Sequence, residues 1–148
     1  MSALSFYWKL EGRISRKALW LAYILPFMAL GVIANFSNDF TGFGPRVEVF
    51  GEKMGLSALA FTVLTLWPEV ATSVRRFHDL NVTGWWVLSF VPLTLWYPDT
   101  ASFISSSLIL LVPTVLVLIV GGLLTLAQLF VPGTVGANKY GSDPLGTN

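Results

Sequence analysis

Arg75-Arg76-Phe77-His78-Asp79-Leu80-Asn81-Val82-Thr83-Gly84-Trp85-Trp86 separates two long apolar runs, and it contains the chain's single histidine. A pair of arginines stops the first run, a short polar stretch makes a turn in which Gly84 lets the chain bend, and two tryptophans open the second. Basic residues and tryptophans at the ends of apolar segments mark the boundary between lipid and water. The stretch therefore reads as a cytoplasmic elbow joining two membrane segments.

Composition supports that reading. Of 148 residues, 54% are hydrophobic and only 11% charged, whereas a soluble domain carries about 25% charged residues. So few charges do not coat a globular surface. The apolar residues also come in blocks, which makes lipid the expected solvent. There is no cysteine, so disulfides, thiolate nucleophiles and cysteine metal sites are excluded. A lone histidine does not build a zinc site. No metal, cofactor, nucleic-acid partner or catalytic residue is expected.

Outward from the elbow, the blocks predict an all-α, polytopic membrane helix bundle. It is a single integral-membrane domain over 1–148, with four transmembrane helices at about 18–36, 56–74, 81–97 and 108–131 and a cytoplasmic tail at 132–148. The first run is too long for a signal-peptide core, and Pro26 is expected to kink it. Before it, Phe6, Tyr7 and Trp8 mix with Lys9, Arg13, Arg16 and Lys17 as in a headgroup layer. Gly12 argues against one continuous helix there. Residues 37–55 read as a polar loop. The third run is short, but Trp85 and Trp86 at one end and Trp96 and Tyr97 at the other favour a full span over a re-entrant loop. Gly121 and Gly122 offer a neighbouring helix a close approach. With four spans and the N-terminus inside, Lys9, Arg13, Arg16, Lys17, Arg75, Arg76 and Lys139 are cytoplasmic, and only Arg46 and Lys53 are outside. That asymmetry predicts N-in/C-in.

In the second run Thr62, Thr65, Glu69, Thr72 and Arg76 recur at helical spacing, opposite Leu59, Val63, Leu66 and Val70. The polar stripe should face other helices. Glu69, an ionisable group in a membrane segment, is a functional candidate, and Gln128 in the fourth run is a plausible partner. The plainer reading makes Glu69 a structural hydrogen-bonder or a partner of Arg76.

The elbow also has a chemical reading. Arg75 and Arg76 beside His78 and Asp79 suit a phosphate-bearing headgroup. Adjacent histidine and aspartate suggest acid–base work, but no nucleophile or ligand set accompanies them.

Three motifs stand in order along the chain: Gly12-Arg13-Ile14-Ser15-Arg16-Lys17 with Trp20; Arg75 to Asp79 with Gly84-Trp85-Trp86; and Gly136, Asn138, Tyr140-Gly141, Asp143 and Pro144. Together they resemble the DUF-805 family, small bacterial inner-membrane proteins of unknown function that include the YhaH-like proteins. The resemblance covers nearly the whole chain and implies a multi-pass protein of the bacterial inner (plasma) membrane. It implies no substrate and no reaction. Glu69 departs from the neutral residue the family pattern leads one to expect, and Val82-Thr83 replaces basic or small residues.

If all three motifs face the cytoplasm, they are expected to form one site from Arg13, Arg16, Arg75, Arg76, His78, Asp79, Asn138, Tyr140 and Asp143. Asn138 to Pro144 should then pack on Arg75 to Asp79, with Arg13 or Arg16 close by and Tyr140 able to cover an arginine face. The leading expectation is a non-enzymatic protein whose cytoplasmic face binds membrane lipid, through an anionic headgroup, or a protein partner or second copy. The alternative is a small transporter or channel subunit working through Glu69.

Overall fold

A computed structural model describes residues 3–41, 46–49, 52–90 and 108–146. The chain order is α1 (Ala3–Trp8), α2 (Arg16–Ala18), a π-helical turn (Leu19–Ile24), α3 (Leu25–Thr41), β1 (Arg46–Val49), β2 (Glu52–Gly55), α4 (Leu56–Asp79), a 3-10 helix (Gly84–Phe90) and α5 (Leu108–Phe130). Among the described residues, three helices are long and apolar enough to cross a membrane: Arg16–Ala34, Leu56–Asp79 and Leu111–Phe130. Their outward residues are aliphatic, as at Leu21, Met28 and Ile33, at Val63, Leu64 and Leu66, and at Leu116, Ile119 and Leu123. A helix satisfies its backbone internally, so such a surface suits hydrocarbon.

The chain forms two compact units, 1–10 with 17–72 and 11–16 with 73–148. α1 stops at Trp8, and Gly12, which belongs to the second unit, takes φ +87°, so no one helix runs through that stretch, as the sequence implies. Pro26 has no N–H to give to the Ala22 carbonyl four residues back. The Tyr7 hydroxyl donates to that carbonyl at 2.7 Å. The Trp8 ring stacks on Trp67, centroids 6.5 Å apart, and Trp67 Nε1 donates to the Trp8 carbonyl at 3.2 Å. The N-terminal aromatics are thus docked on the helices.

The stretch 37–55 is not simply a loop. α3 continues to Thr41, and β1 pairs with β2 in an antiparallel hairpin that sets Glu48 opposite Lys53. The period-two pattern Arg46-Val47-Glu48-Val49 accounts for the strands.

α4 carries Pro68 in its interior, and its polar stripe is largely self-satisfied. Thr62 Oγ1 donates to the Ala58 carbonyl, Thr65 Oγ1 to Thr62, and Thr72 Oγ1 to Pro68 at 2.7 Å. Hydroxyls in hydrocarbon commonly bond back to their own helix in this way. The helix also runs on past Val74 to Asp79. Glu69 therefore lies roughly 15 Å from the C-terminal end of α4, at 1.5 Å per residue.

In the second unit, α4 ends in a Schellman turn. Val82 N–H donates to the Phe77 carbonyl at 2.9 Å and Asn81 N–H to His78 at 3.0 Å, with Asn81 at φ 60°. Asparagine tolerates that left-handed position. Asn81, rather than Gly84, makes the turn. Gly84 serves packing instead, since a Cβ there would sit 2.6 Å from Val74 Cγ1 and 3.2 Å from His78 Nε2. Of the expected third span, Gly84–Phe90 is 3-10 and covers roughly 14 Å at about 2 Å per residue; the closing Trp96 and Tyr97 lie outside the described residues. A Cβ on Gly122 would meet nothing within 4 Å, so this glycine holds no close neighbour among the described residues.

Candidate functional site

The centre of the second unit is charged. Phe77 and Ile14 are buried there, and so are Arg13, Arg75, Arg76 and Asp79. Gly12 turns the chain so that Ile14 N–H donates to the Arg75 carbonyl at 3.3 Å. This pairing carries Arg13 inward to Asp79. Arg13 Nε lies 3.0 Å and Nη2 2.9 Å from Asp79 Oδ1. Arg13 Nη1 donates to the carbonyls of Gly136 at 2.6 Å and Gly141 at 3.5 Å, and Nη2 donates to Thr134. All five guanidinium N–H groups are therefore aimed at acceptors inside the protein.

Arg76 holds the other carboxylate oxygen. Its Nη1 pairs with Asp79 Oδ2, its Nε donates to the Gln128 carbonyl at 2.8 Å, and its Nη2 donates to Val131. Gln128 belongs to the C-terminal turn of α5, where helical carbonyls lack intrahelical partners, and Val131 directly follows the helix. A cation there is favoured by the helix dipole as well. Arg16 repeats the arrangement at the surface, with Nη1 donating to the Phe130 carbonyl at 2.6 Å.

The tail packs on the elbow as the sequence led us to expect. Thr134 donates twice to the Asp79 carbonyl, through N–H at 2.8 Å and Oγ1 at 3.0 Å. Asn138 Nδ2 donates to the His78 carbonyl at 2.9 Å and to Thr134 Oγ1 at 3.0 Å, and Asn138 Oδ1 accepts from Tyr140 N–H. The Tyr140 ring stacks on His78, centroids 3.9 Å apart and 6° from parallel. Its partner is thus histidine and not an arginine, and Lys139 Nζ sits 4.9 Å from the Tyr140 centroid. His78 Nδ1 lies 3.2 Å from the Gly12 carbonyl; a carbonyl only accepts, so Nδ1 carries the proton. Asp143 accepts from Gly136 N–H at 2.9 Å and Leu145 N–H at 2.8 Å, which shapes the tail's turns.

Of the residues singled out by sequence, Arg13, Arg16, Arg75, Arg76, His78, Asp79, Asn138, Tyr140, Asp143 and Gln128 all fall in this unit, and Glu69 falls in the other. Two participants escaped the sequence reading. Thr134 is a hub for Arg13, Asp79 and Asn138. Gly133 is the other, since a Cβ there would lie 2.0 Å from Asp79 Oδ2. Among the described residues no group of three or more His, Cys, Asp or Glu side chains is placed to hold a metal ion.

These features define a class: a small helical membrane protein whose two terminal segments are tied to the end of one helix by a buried Arg–Asp–Arg triad. The chain belongs to the DUF805 family, described as "Protein of unknown function (DUF805)", which it matches over residues 7–142. It is 26% identical over 150 residues to "Inner membrane protein YhaI" of Escherichia coli (strain K12), covering 100% of this chain and 97% of that protein. The same figures hold for "Inner membrane protein YhaI" of Escherichia coli O157:H7. No solved structure matches. The chain is thus a multi-pass protein of the inner membrane.

Proposed function

We propose that this is a non-enzymatic membrane protein with four crossings, both termini cytoplasmic, whose cytoplasmic face docks on anionic lipid headgroups. One observation carries the topology. Arg13, before the first membrane helix, meets Asp79 at the end of α4 and Thr134 after α5. Segments that touch share a side of the membrane. From Asp79 the chain must return to the same side by way of α5, which crosses once. A further crossing between Thr83 and Leu108 completes an even number. Lysine and arginine near these ends favour the cytoplasm for that side. With single cysteines introduced into the cysteine-free chain, Ser2→Cys and Ser142→Cys are expected to resist an impermeant thiol reagent in intact cells. Ser37→Cys and Ser102→Cys should label. Labelling at Ser142→Cys sinks the four-crossing reading.

The docking reading rests on which charges the triad leaves over. Arg13 and Arg76 direct their donors to internal acceptors, so they build the scaffold. Arg16 and Lys139 are exposed and remain for phosphate-bearing headgroups. His78 and Asp79 do not form an acid–base pair here, because one stacks under Tyr140 and the other is clamped by two guanidiniums. A basic residue at an anionic surface contributes about 1 kcal/mol. Arg16→Gln with Lys139→Gln should therefore cut the anionic phospholipid retained by the purified protein by roughly tenfold or more. Unchanged lipid content, read by mass spectrometry, counts against lipid and leaves a protein partner.

A second reading, a small transporter or channel subunit, is favoured by one observation. In the first unit Glu69 opens onto a groove of about 350 Å³.

A further inference from the structure

The groove in the first unit is walled by aromatic rings. Tyr23, Phe27, Gly31, Phe61 and Thr65 line it together with Glu69. Tyr23 and Phe27 lie 4.6 Å apart by ring centroids, and Phe27 and Phe61 lie 6.4 Å apart. Gly31 lets Phe61 approach, since a Cβ there would stand 3.2 Å from Phe61 Cε1. The π-helical turn Leu19–Ile24 carries Tyr23 into this wall, and π-turns are frequent at functional sites.

Glu69 is the anomaly in the groove. It is exposed on α4, on the helix face that also carries Thr62 and Thr65. Among the described residues its carboxylate accepts no hydrogen bond and meets no cation. Thr65, which also lines the groove, gives its proton to the Thr62 carbonyl. Tyr23 lines the groove together with Glu69. A carboxylate on a membrane helix demands a counter-charge, and the triad's arginines are committed elsewhere.

We propose that this groove binds a lipophilic organic cation, with Glu69 as counter-ion and the faces of Tyr23, Phe27 and Phe61 as walls. Ring faces attract cations through their quadrupole. A single carboxylate among aromatic walls is a poor set for a bare metal ion, which needs several oxygen donors. A cation that carries its own apolar shell meets its needs in both the ring faces and the charge. The volume falls at the lower end of the roughly 300–1,000 Å³ of drug-sized sites. Lipid provides the approach, because Met28 and Glu69, which line the groove, are exposed on helices apolar enough to cross a membrane.

The assignment deepens the second reading above but concerns binding alone. The test uses the full-length protein in nanodiscs, with radiolabelled tetraphenylphosphonium as probe and tetraphenylborate as a competitor of the same shape and opposite charge. Saturable binding is expected, without competition by the borate. Glu69→Gln should weaken it roughly tenfold or more, as expected for loss of a charged partner, while Glu69→Asp keeps most of it. Phe61→Leu should cost roughly two- to thirtyfold, the range of a cation–π contact. No saturable binding in the wild type, equal competition by the borate, or wild-type affinity in folded Glu69→Gln overturns the site. If Glu69→Gln does not fold, the borate comparison and Phe61→Leu decide. Binding without flux in proteoliposomes keeps the site and removes the transport reading.

Discussion

Asp79→Ala should abolish the stable fold. Removing this one carboxylate leaves two buried guanidiniums, Arg13 and Arg76, without their counter-ion. Breaking a buried pair by deleting one partner costs about 3–5 kcal/mol, and here one deletion breaks two pairs. Whole domains are stable by only about 5–15 kcal/mol. We expect strongly reduced accumulation in the membrane and a large drop in melting temperature in detergent. Asp79→Asn keeps an acceptor for one arginine and should fall between. Removing Arg13 as well, in Arg13→Met with Asp79→Ala, should recover part of the loss, because one orphaned charge disappears with it. An Asp79→Ala protein that melts with the wild type would mean the triad contributes nothing to the fold.

The second large effect is expected at Gly133. An added Cβ would stand 2.0, 2.5 and 2.8 Å from Oδ2, Cγ and Oδ1 of Asp79. Those atoms are held by Arg13 and Arg76, so they have little room to give. Overpacking a filled site usually costs about 1–3 kcal/mol and occasionally more, and Gly133→Ala should lie at or above the upper limit. Gly122→Ala is the control, because its Cβ meets open space and alanine is about 1 kcal/mol better than glycine in a helix interior. Melting curves of the two variants should differ widely. Equal curves would show that the tail moves aside without loss, and that Gly133 is not a packing requirement.

The contrast between these two glycines bears on what the sequence disclosed. Apolar blocks located three membrane helices, because length and hydrophobicity suffice for that. Helix ends were harder to place. Arg75 and Arg76 looked like the terminus of α4, yet the helix continues to Asp79 because the Arg76 guanidinium finds Asp79 and carbonyls of Gln128 and Val131 to bond. The turn was assigned to Gly84, whose demand is steric, whereas Asn81 supplies the left-handed residue. The hairpin at Arg46–Gly55 lay hidden in a composition that reads as loop. In the site, Asn138, Tyr140 and His78 could be brought together on paper because their side chains advertise hydrogen bonds or stacking. The acceptors of Arg13 could not, since they are main-chain carbonyls of Thr134, Gly136 and Gly141, and every residue has one. Thr134 and Gly133 went unnoticed for the same reason. The groove around Glu69 was half legible: the acid stood out, but its aromatic wall depends on how helices pack.

The arrangement around Arg13 also orders events in time. Arg13 leaves the ribosome well before the groups it binds, and its carbonyl acceptors follow 121, 123 and 128 residues later. At about 5–20 residues per second, that interval lasts roughly 6–26 s. Asp79 arrives midway and gives Arg13 a first partner, but the remaining donors wait for the tail. Membrane insertion and the final closing of the structure are therefore separate steps, with closure last. A chain interrupted after α5 would carry its membrane helices and still leave Arg13 without the carbonyls of Thr134, Gly136 and Gly141.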